Sequence, residues 1–287
     1  MDSFKLIECP RDAMQGLHGF IPTEDKIRYL NALLWVGFDT LDFGSFVSPQ
    51  AVPQMRDTAE VLAGLDLSGT PTKLLAIVAN LRGAERAVTY PQIQYLGFPL
   101  SVSETFQLRN TNKTIEQAFA EVQNIQNLCV EHGKKLVVYL SMGFGNPYGD
   151  PYSPELIGRF TERLVQLGVT IIAPSDTVGT STPDGIETLF RHLLHAFPAV
   201  EFGAHLHSRP DQVAEKVQAA WRAGVRRIDG ALLGFGGCPM AADELTGNLP
   251  TEQVVDLLGQ AGVTLTIDRT RLAEALVLSA EILGARP

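Results

Sequence analysis

The stretch Gly203-Ala204-His205-Leu206-His207 closes an apolar run that begins near Pro198. In an extended strand alternate side chains share a face, so His205 and His207 project to the same side. Two imidazoles placed in this way either pack against backbone, as histidines commonly do, or form a metal pair. Asp12 supplies a carboxylate to such a pair, and the mixed oxygen and nitrogen set suits Mg²⁺ or Mn²⁺, with Zn²⁺ less well matched. Asn248, in Thr246-Gly247-Asn248-Leu249, offers a further carbonyl oxygen. A divalent cation with open positions polarises a hydroxyl or carbonyl of a bound substrate. Arg11, beside Asp12, is either its ion-pair partner or a fixed positive charge for a developing anion. Cys238 sits in Gly234-Phe235-Gly236-Gly237-Cys238-Pro239, where glycines permit unusual backbone angles. That loop either merely turns or carries the thiol over a site mouth.

These residues need a scaffold that gathers strand ends. Short apolar runs recur at 4–8, 38–43, 73–79, 94–102, 135–142, 169–174, 200–205 and 226–233, which makes eight strand candidates. Helix-length amphipathic segments fall between them at 23–36, 114–133, 153–168, 183–196 and 210–224, several opened by Thr, Ser or Pro and closed by Gly. Strands alternating with helices imply right-handed crossovers and a parallel sheet. Eight such units in 287 residues fit an α/β (β/α)8 TIM barrel, a single domain over 1–287, with extra C-terminal helices near 251–259 and 271–283. The alternative, an open doubly wound sheet, lacks a Gly-x-Gly-x-x-Gly turn after the first strand. In a barrel the chemistry sits at the C-terminal strand ends, where Arg11, Asp12, Asp42, Ser103, Asp176 and the two histidines fall.

A net charge of −9 argues against nucleic acid as the main partner, since phosphate binding calls for a basic face. No apolar run is long enough to span a membrane, and the first residues show neither a secretory nor a transit pattern. The three cysteines, Cys9, Cys129 and Cys238, are too scattered for a disulfide framework, which points to a reducing compartment, the cytoplasm. His18, His132, His192 and His195 read as surface or packing residues, and Cys129 as a small core hydrophobe.

Taken in order, Pro10-Arg11-Asp12, Ser45-Phe46-Val47-Ser48-Pro49 with Val52-Pro53-Gln54-Met55, Ser103-Glu104 with Asn110, Asp176-Thr177-Val178-Gly179, His205-Leu206-His207, Gly236-Gly237-Cys238-Pro239 and Gly247-Asn248-Leu249 resemble 3-hydroxy-3-methylglutaryl-CoA lyase. The resemblance implies a barrel, a divalent cation held by Asp12, His205, His207 and Asn248, an acyl-CoA substrate, and a homodimer. It implies cleavage of a 3-hydroxyacyl-CoA to acetyl-CoA and a keto acid. In it Arg11 stabilises the enolate oxygen, His205 or a nearby carboxylate takes a proton, Cys238 acts as acid or base, and Gln15, Ser45, Asn110 and Thr177 contact substrate. Asp42 stands where the family has Glu. Ala13, Gly16-Leu17-His18, Ala173 and Ser208-Arg209-Pro210 also depart from the family pattern, which leaves room for a different acyl group. Acetyl-CoA condensing enzymes such as isopropylmalate or homocitrate synthases share Arg11-Asp12 and the histidine pair but lack the glycine-cysteine loop and carry long C-terminal extensions. A non-catalytic barrel that binds a CoA ester is the remaining alternative.

Overall fold

The computed structural model describes residues 4–17, 19–237 and 246–284. Cys238 and His18 therefore lie outside the described residues. The chain runs β1 (Lys5–Glu8), α1 (Pro10–Gln15), α2 (Thr23–Leu34), β2 (Thr40–Ser45), α3 (Thr58–Ala63), β3 (Lys73–Ile77) and α4 (Leu81–Val88). It continues through β4 (Ile93–Ser101), α5 (Glu104–Thr111), α6 (Ile115–Glu131), β5 (Lys135–Ser141), α7 (Pro154–Gln166), β6 (Ile171–Asp176) and α8 (Pro183–Ala196). The seventh barrel strand is β7 (Glu201–Phe202) followed by β8 (Ala204–Leu206), after which come α9 (Val213–Ala223), β9 (Arg227–Gly230), α10 (Thr251–Gln260) and α11 (Arg269–Ser279).

Every strand pairing is parallel, from β1 with β2 round to β9 with β1, and β5 pairs with β6. That last pairing closes the sheet into a (β/α)8 barrel. The long helices begin where their caps demand. Thr114 and Gln117 form a capping box on α6, Ser153 caps α7 ahead of Pro154, and Thr182 caps α8 ahead of Pro183. Gly224, at φ +104°, ends α9 in a conformation that a side chain would resist. At the far end of the chain Asp268 N–H donates to the Val36 carbonyl at 2.8 Å and Tyr29 reaches Ser279 at 3.2 Å, which ties α11 to α2. Among the described residues no helix is long and apolar enough to cross a membrane.

Two features differ from the sequence reading. The chain after strand one turns at once into α1, with Pro10 at its first position, so Arg11 and Asp12 stand on a helical turn rather than an extended strand end. The seventh strand is interrupted at Gly203, a position packed against the Arg227 side chain: a Cβ on Gly203 would lie 3.0 Å from Arg227 Cδ. The helices α1, α3, α4 and α5 are six to eight residues long, too short for a 3.6-residue period to show in sequence.

Glu8, the last residue of β1, is fully buried. Its carboxyl accepts Leu232 N–H at 2.8 Å and the Thr251 hydroxyl, so it joins the end of β9 to the start of α10. Burial pushes it up to about 8, against the pull of those two hydrogen bonds. Between its ordinary value and about 8 the folded chain keeps a proton that the unfolded chain has lost, so this group makes stability fall as pH rises through that window. Glu8→Gln keeps one acceptor and one donor in place and removes the titration. Thermal melts at pH 8 should show the variant more stable by about 4 kcal/mol, roughly 10 °C in Tm, and the two proteins should coincide near pH 4. Parallel losses in both proteins across that range would refute the assignment.

Candidate active site

At the C-terminal mouth of the barrel a cavity of about 230 Å³ opens over Arg11, Asp12, Gln15, Thr177, His205 and His207. Asn110 of α5 lies on its lining, and Val47, Val52, Ile77, Pro99 and Phe106 give it apolar walls. Asp12 is the hub. Its Oδ1 accepts from Arg11 Nη1 at 2.9 Å and Gln15 Nε2 at 2.6 Å, and its Oδ2 accepts from Asn248 Nδ2 at 2.6 Å. Burial would raise this carboxyl, but Arg11, His205 and His207 outweigh it and hold it down at about 2.

Arg11 is held by both carboxylates. Its Nε and Nη2 donate to Asp42 Oδ2 at 2.9 and 2.5 Å, and Nη1 also reaches Gln15 Oε1 at 3.0 Å. Burial disfavours the guanidinium charge, yet Asp42 and Asp12 together make it harder still to deprotonate. Asp42 is wholly buried and absent from the cavity lining, so it supports Arg11 from behind instead of facing a ligand. Its burial raises it to about 6 even with the guanidinium beside it.

His205 and His207 meet with ring centroids 5.3 Å apart, as period-two alternation requires. His207 donates Nδ1–H to the Thr177 carbonyl at 3.1 Å, which leaves Nε2 buried and without a partner among the described residues. Burial and the neighbouring His205 push His207 down to about 4, so its imidazole is neutral near pH 7. For His205 the burial penalty is overcome by Asp229 and Asp12, and its value is raised.

The residues present suit a divalent cation. One ligand atom each of Asp12, His205 and His207 lie within 4.8 Å of one another, giving an anionic oxygen and imidazole nitrogens, one of them an orphaned lone pair. Asn248 is brought to Asp12 by a bridge between its backbone and that of His207. Its amide nitrogen, not its oxygen, meets Asp12, so joining a cation there requires the amide to turn over, an exchange of two groups of nearly equal shape. Gly236 packs on this pair: a Cβ there would lie 2.5 Å from Asn248 Nδ2 and 3.0 Å from Asp12 Oδ2.

The sequence matches the HMGL-like family over residues 5–278. The chain belongs to the HMGL-like family. It is 31% identical over 275 residues to a hydroxymethylglutaryl-CoA lyase of Bacillus subtilis, covering 96% of this chain and 91% of that one. The mitochondrial hydroxymethylglutaryl-CoA lyase of Mus musculus is 31% identical over 273 residues, covering 94% of this chain and 83% of its own. Among solved structures, an HMG-CoA lyase from Acinetobacter baumannii in complex with coenzyme A and 3-methylmalate superposes with a TM-score of 0.91 at 31% identity, covering 99% of this chain and 92% of that one.

Within this HMGL-like chain the structure gathers Arg11, Asp12, Gln15, Asp42, Thr177, His205, His207 and Asn248, with Asn110 farther along the cavity. Ser45 is not among the lining residues; its backbone N–H donates to Thr58 Oγ1 at 3.2 Å and its own hydroxyl is buried. Ala173 likewise lies off the cavity, packed with Leu75, Tyr95, Tyr139 and Ile171 inside the barrel. Sequence reasoning missed three supporting residues. Lys216, fully buried on α9, donates to Asp176 at 2.9 Å and to the His207 carbonyl at 2.8 Å. Asp229 stands 3.1 Å behind His205, and Tyr139 lays its ring edge-on to the same imidazole. A lysine on the apolar stripe formed by Val213, Val217 and Ala220 was the available signal for the first; Asp229 and Tyr139 gave none.

Proposed function

We propose that the chain is a divalent-cation-dependent carbon-carbon lyase acting on a 3-hydroxyacyl-CoA, with 3-hydroxy-3-methylglutaryl-CoA as substrate and acetyl-CoA and acetoacetate as products. The observation that carries this is the placement of Asp12, His205 and His207 together at the cavity floor with Arg11 against them. The names of the Bacillus subtilis and Mus musculus relatives support it. Asp12, His205, His207 and the Asn248 amide would hold a Mg²⁺ or Mn²⁺ ion, which when bound would supply Lewis-acid polarisation of the substrate's oxygens.

The remaining steps fall to side chains. A carboxylate beside His205 accepts the proton of the 3-hydroxyl, since the two ring nitrogens of His205 are committed to the cation site and to Asp229. The bond between the second and third carbons breaks, and its electron pair passes to the thioester enolate. Arg11 has five N–H groups, four of them engaged with Asp42, Asp12 and Gln15, and the fifth, without a partner among the described residues, serves that enolate oxygen. Because carboxylates grip the guanidinium on two sides, it stabilises the new charge without reorganising. Cys238 protonates the second carbon to give acetyl-CoA; this role rests on the sequence resemblance. The same resemblance supports a homodimer, and the three scattered cysteines support a reducing compartment, the cytoplasm.

The apolar cavity walls favour a second reading: the same reaction on an ester with a bulkier third-carbon substituent. Purified protein is tested for acetyl-CoA release from 3-hydroxy-3-methylglutaryl-CoA with Mg²⁺ or Mn²⁺, with chelator, and against longer 3-alkyl analogues. Release that chelator abolishes and metal restores is expected. Release that persists in chelator, or none from any ester, would overturn the lyase reading, and a higher kcat/KM for the analogues would select the bulkier substrate.

A further inference from the structure

His205 is gripped from its rear. Its Nδ1 lies 3.1 Å from Asp229 Oδ2, and the strand register dictates the contact, since His205 on β8 pairs directly with Asp229 on β9. The Asp229 side chain is wholly buried, and its other oxygen has no hydrogen-bond partner among the described residues. Arg227 projects to the same face of β9 two residues earlier and faces Asp229 electrostatically. A carboxylate only accepts, so a ring bonded to it carries its hydrogen on Nδ1 and keeps the lone pair on Nε2.

From this geometry we propose that Asp229 is the positioning residue of the site: by accepting from Nδ1–H it fixes both the tautomer and the aim of His205, so that Nε2 presents a lone pair to a divalent cation. The inference rests on reading Asp12, His205 and His207 as the cation site. Such a carboxylate behind a ligating histidine raises its basicity and prevents the ring from turning. Cys9 completes a second trio with His205 and Asp229, their ligand atoms also within 4.8 Å. That thiol is buried and absent from the cavity lining, so a cation has no route to it, and the trio is the back of the site rather than a second one.

The test compares native protein, Asp229→Asn and Cys9→Ala by Mn²⁺ titration followed by electron paramagnetic resonance, with kcat and KM measured at saturating Mn²⁺. Asp229→Asn should bind Mn²⁺ roughly 10- to 100-fold more weakly and lower kcat, with KM for the acyl-CoA little changed. Cys9→Ala should leave Mn²⁺ affinity within about threefold and the stoichiometry unaltered, as expected of a neighbour that makes no bond to the ring. Native-like Mn²⁺ affinity in Asp229→Asn would overturn the proposal, as would an equal loss in Cys9→Ala. If the native protein binds no Mn²⁺, the cation reading itself fails. Independently of any variant, nitrogen NMR of the metal-free native protein at alkaline pH reads the tautomer: hydrogen on Nδ1 of His205 supports the proposal and hydrogen on Nε2 refutes it.

Discussion

Arg11→Met is expected to lower kcat by roughly 10³-fold while leaving cation binding and the fold largely intact. Among the described residues the guanidinium is the one arginine or lysine head on the lining of the cavity, and its charge is fixed by two carboxylates. Methionine matches its apolar stem but gives no donor to a developing enolate oxygen. The fold survives because of Asp42. Burial already holds that carboxyl at about 6 with Arg11 present, so without the guanidinium it rises further and takes up a proton near pH 7. A neutral acid replaces an unpaired buried charge, which limits the loss to about 1–3 kcal/mol. Steady-state kinetics, a thermal melt and Mn²⁺ titration check the three parts. A Tm collapse, or a kcat within tenfold of native, would refute the role assigned to the guanidinium.

The barrel was legible because its strands are buried on both faces and read as apolar runs, as in Leu136-Val137-Val138 and Ile171-Ile172, with capped amphipathic helices between them. What lay beyond reading were features made by neighbours in space. The tight packing of Gly203 against Arg227, distant in sequence, is one of them. In the site, period-two alternation was enough to put His205 and His207 on one face, and the Arg11-Asp12 pair marked the first strand's end. Asp42 was visible as a polar strand-end residue, but not its place behind Arg11, which depends on the register between β1 and β2. Asp229 was harder still. Within Arg227-Ile228-Asp229 it reads as an alternating strand residue, and only the pairing of β8 with β9 turns it toward His205. Lys216 stands on the apolar stripe of its helix, but only the fold shows that it reaches through to the carbonyl of a proposed ligand.

Asp12→Asn should produce the opposite division of effects from Arg11→Met: Mn²⁺ affinity falls at least about 100-fold, and kcat falls with it by roughly 10³ at any attainable metal concentration. Asp12 accepts from three donors, Arg11, Gln15 and Asn248, which a carboxylate can do and an amide cannot. Asparagine turns its NH₂ toward at least one of them, so a buried donor faces a donor. The lost charge also registers in the stability of the metal-free protein. A carboxyl held at about 2 against an ordinary value near 4 contributes about 2 kcal/mol at any pH above the unfolded value, and this is lost as pH falls through about 2. The variant should thus melt roughly 5 °C lower at pH 7, with the gap closing toward pH 2. Because Arg11 Nη1 and Asp12 Oδ1 share a bond of 2.9 Å, the double variant should lose much less rate than the product of the single losses. Full multiplicativity would mean that the guanidinium and the carboxylate act on the reaction independently, and the description of them as one preorganised unit would be wrong.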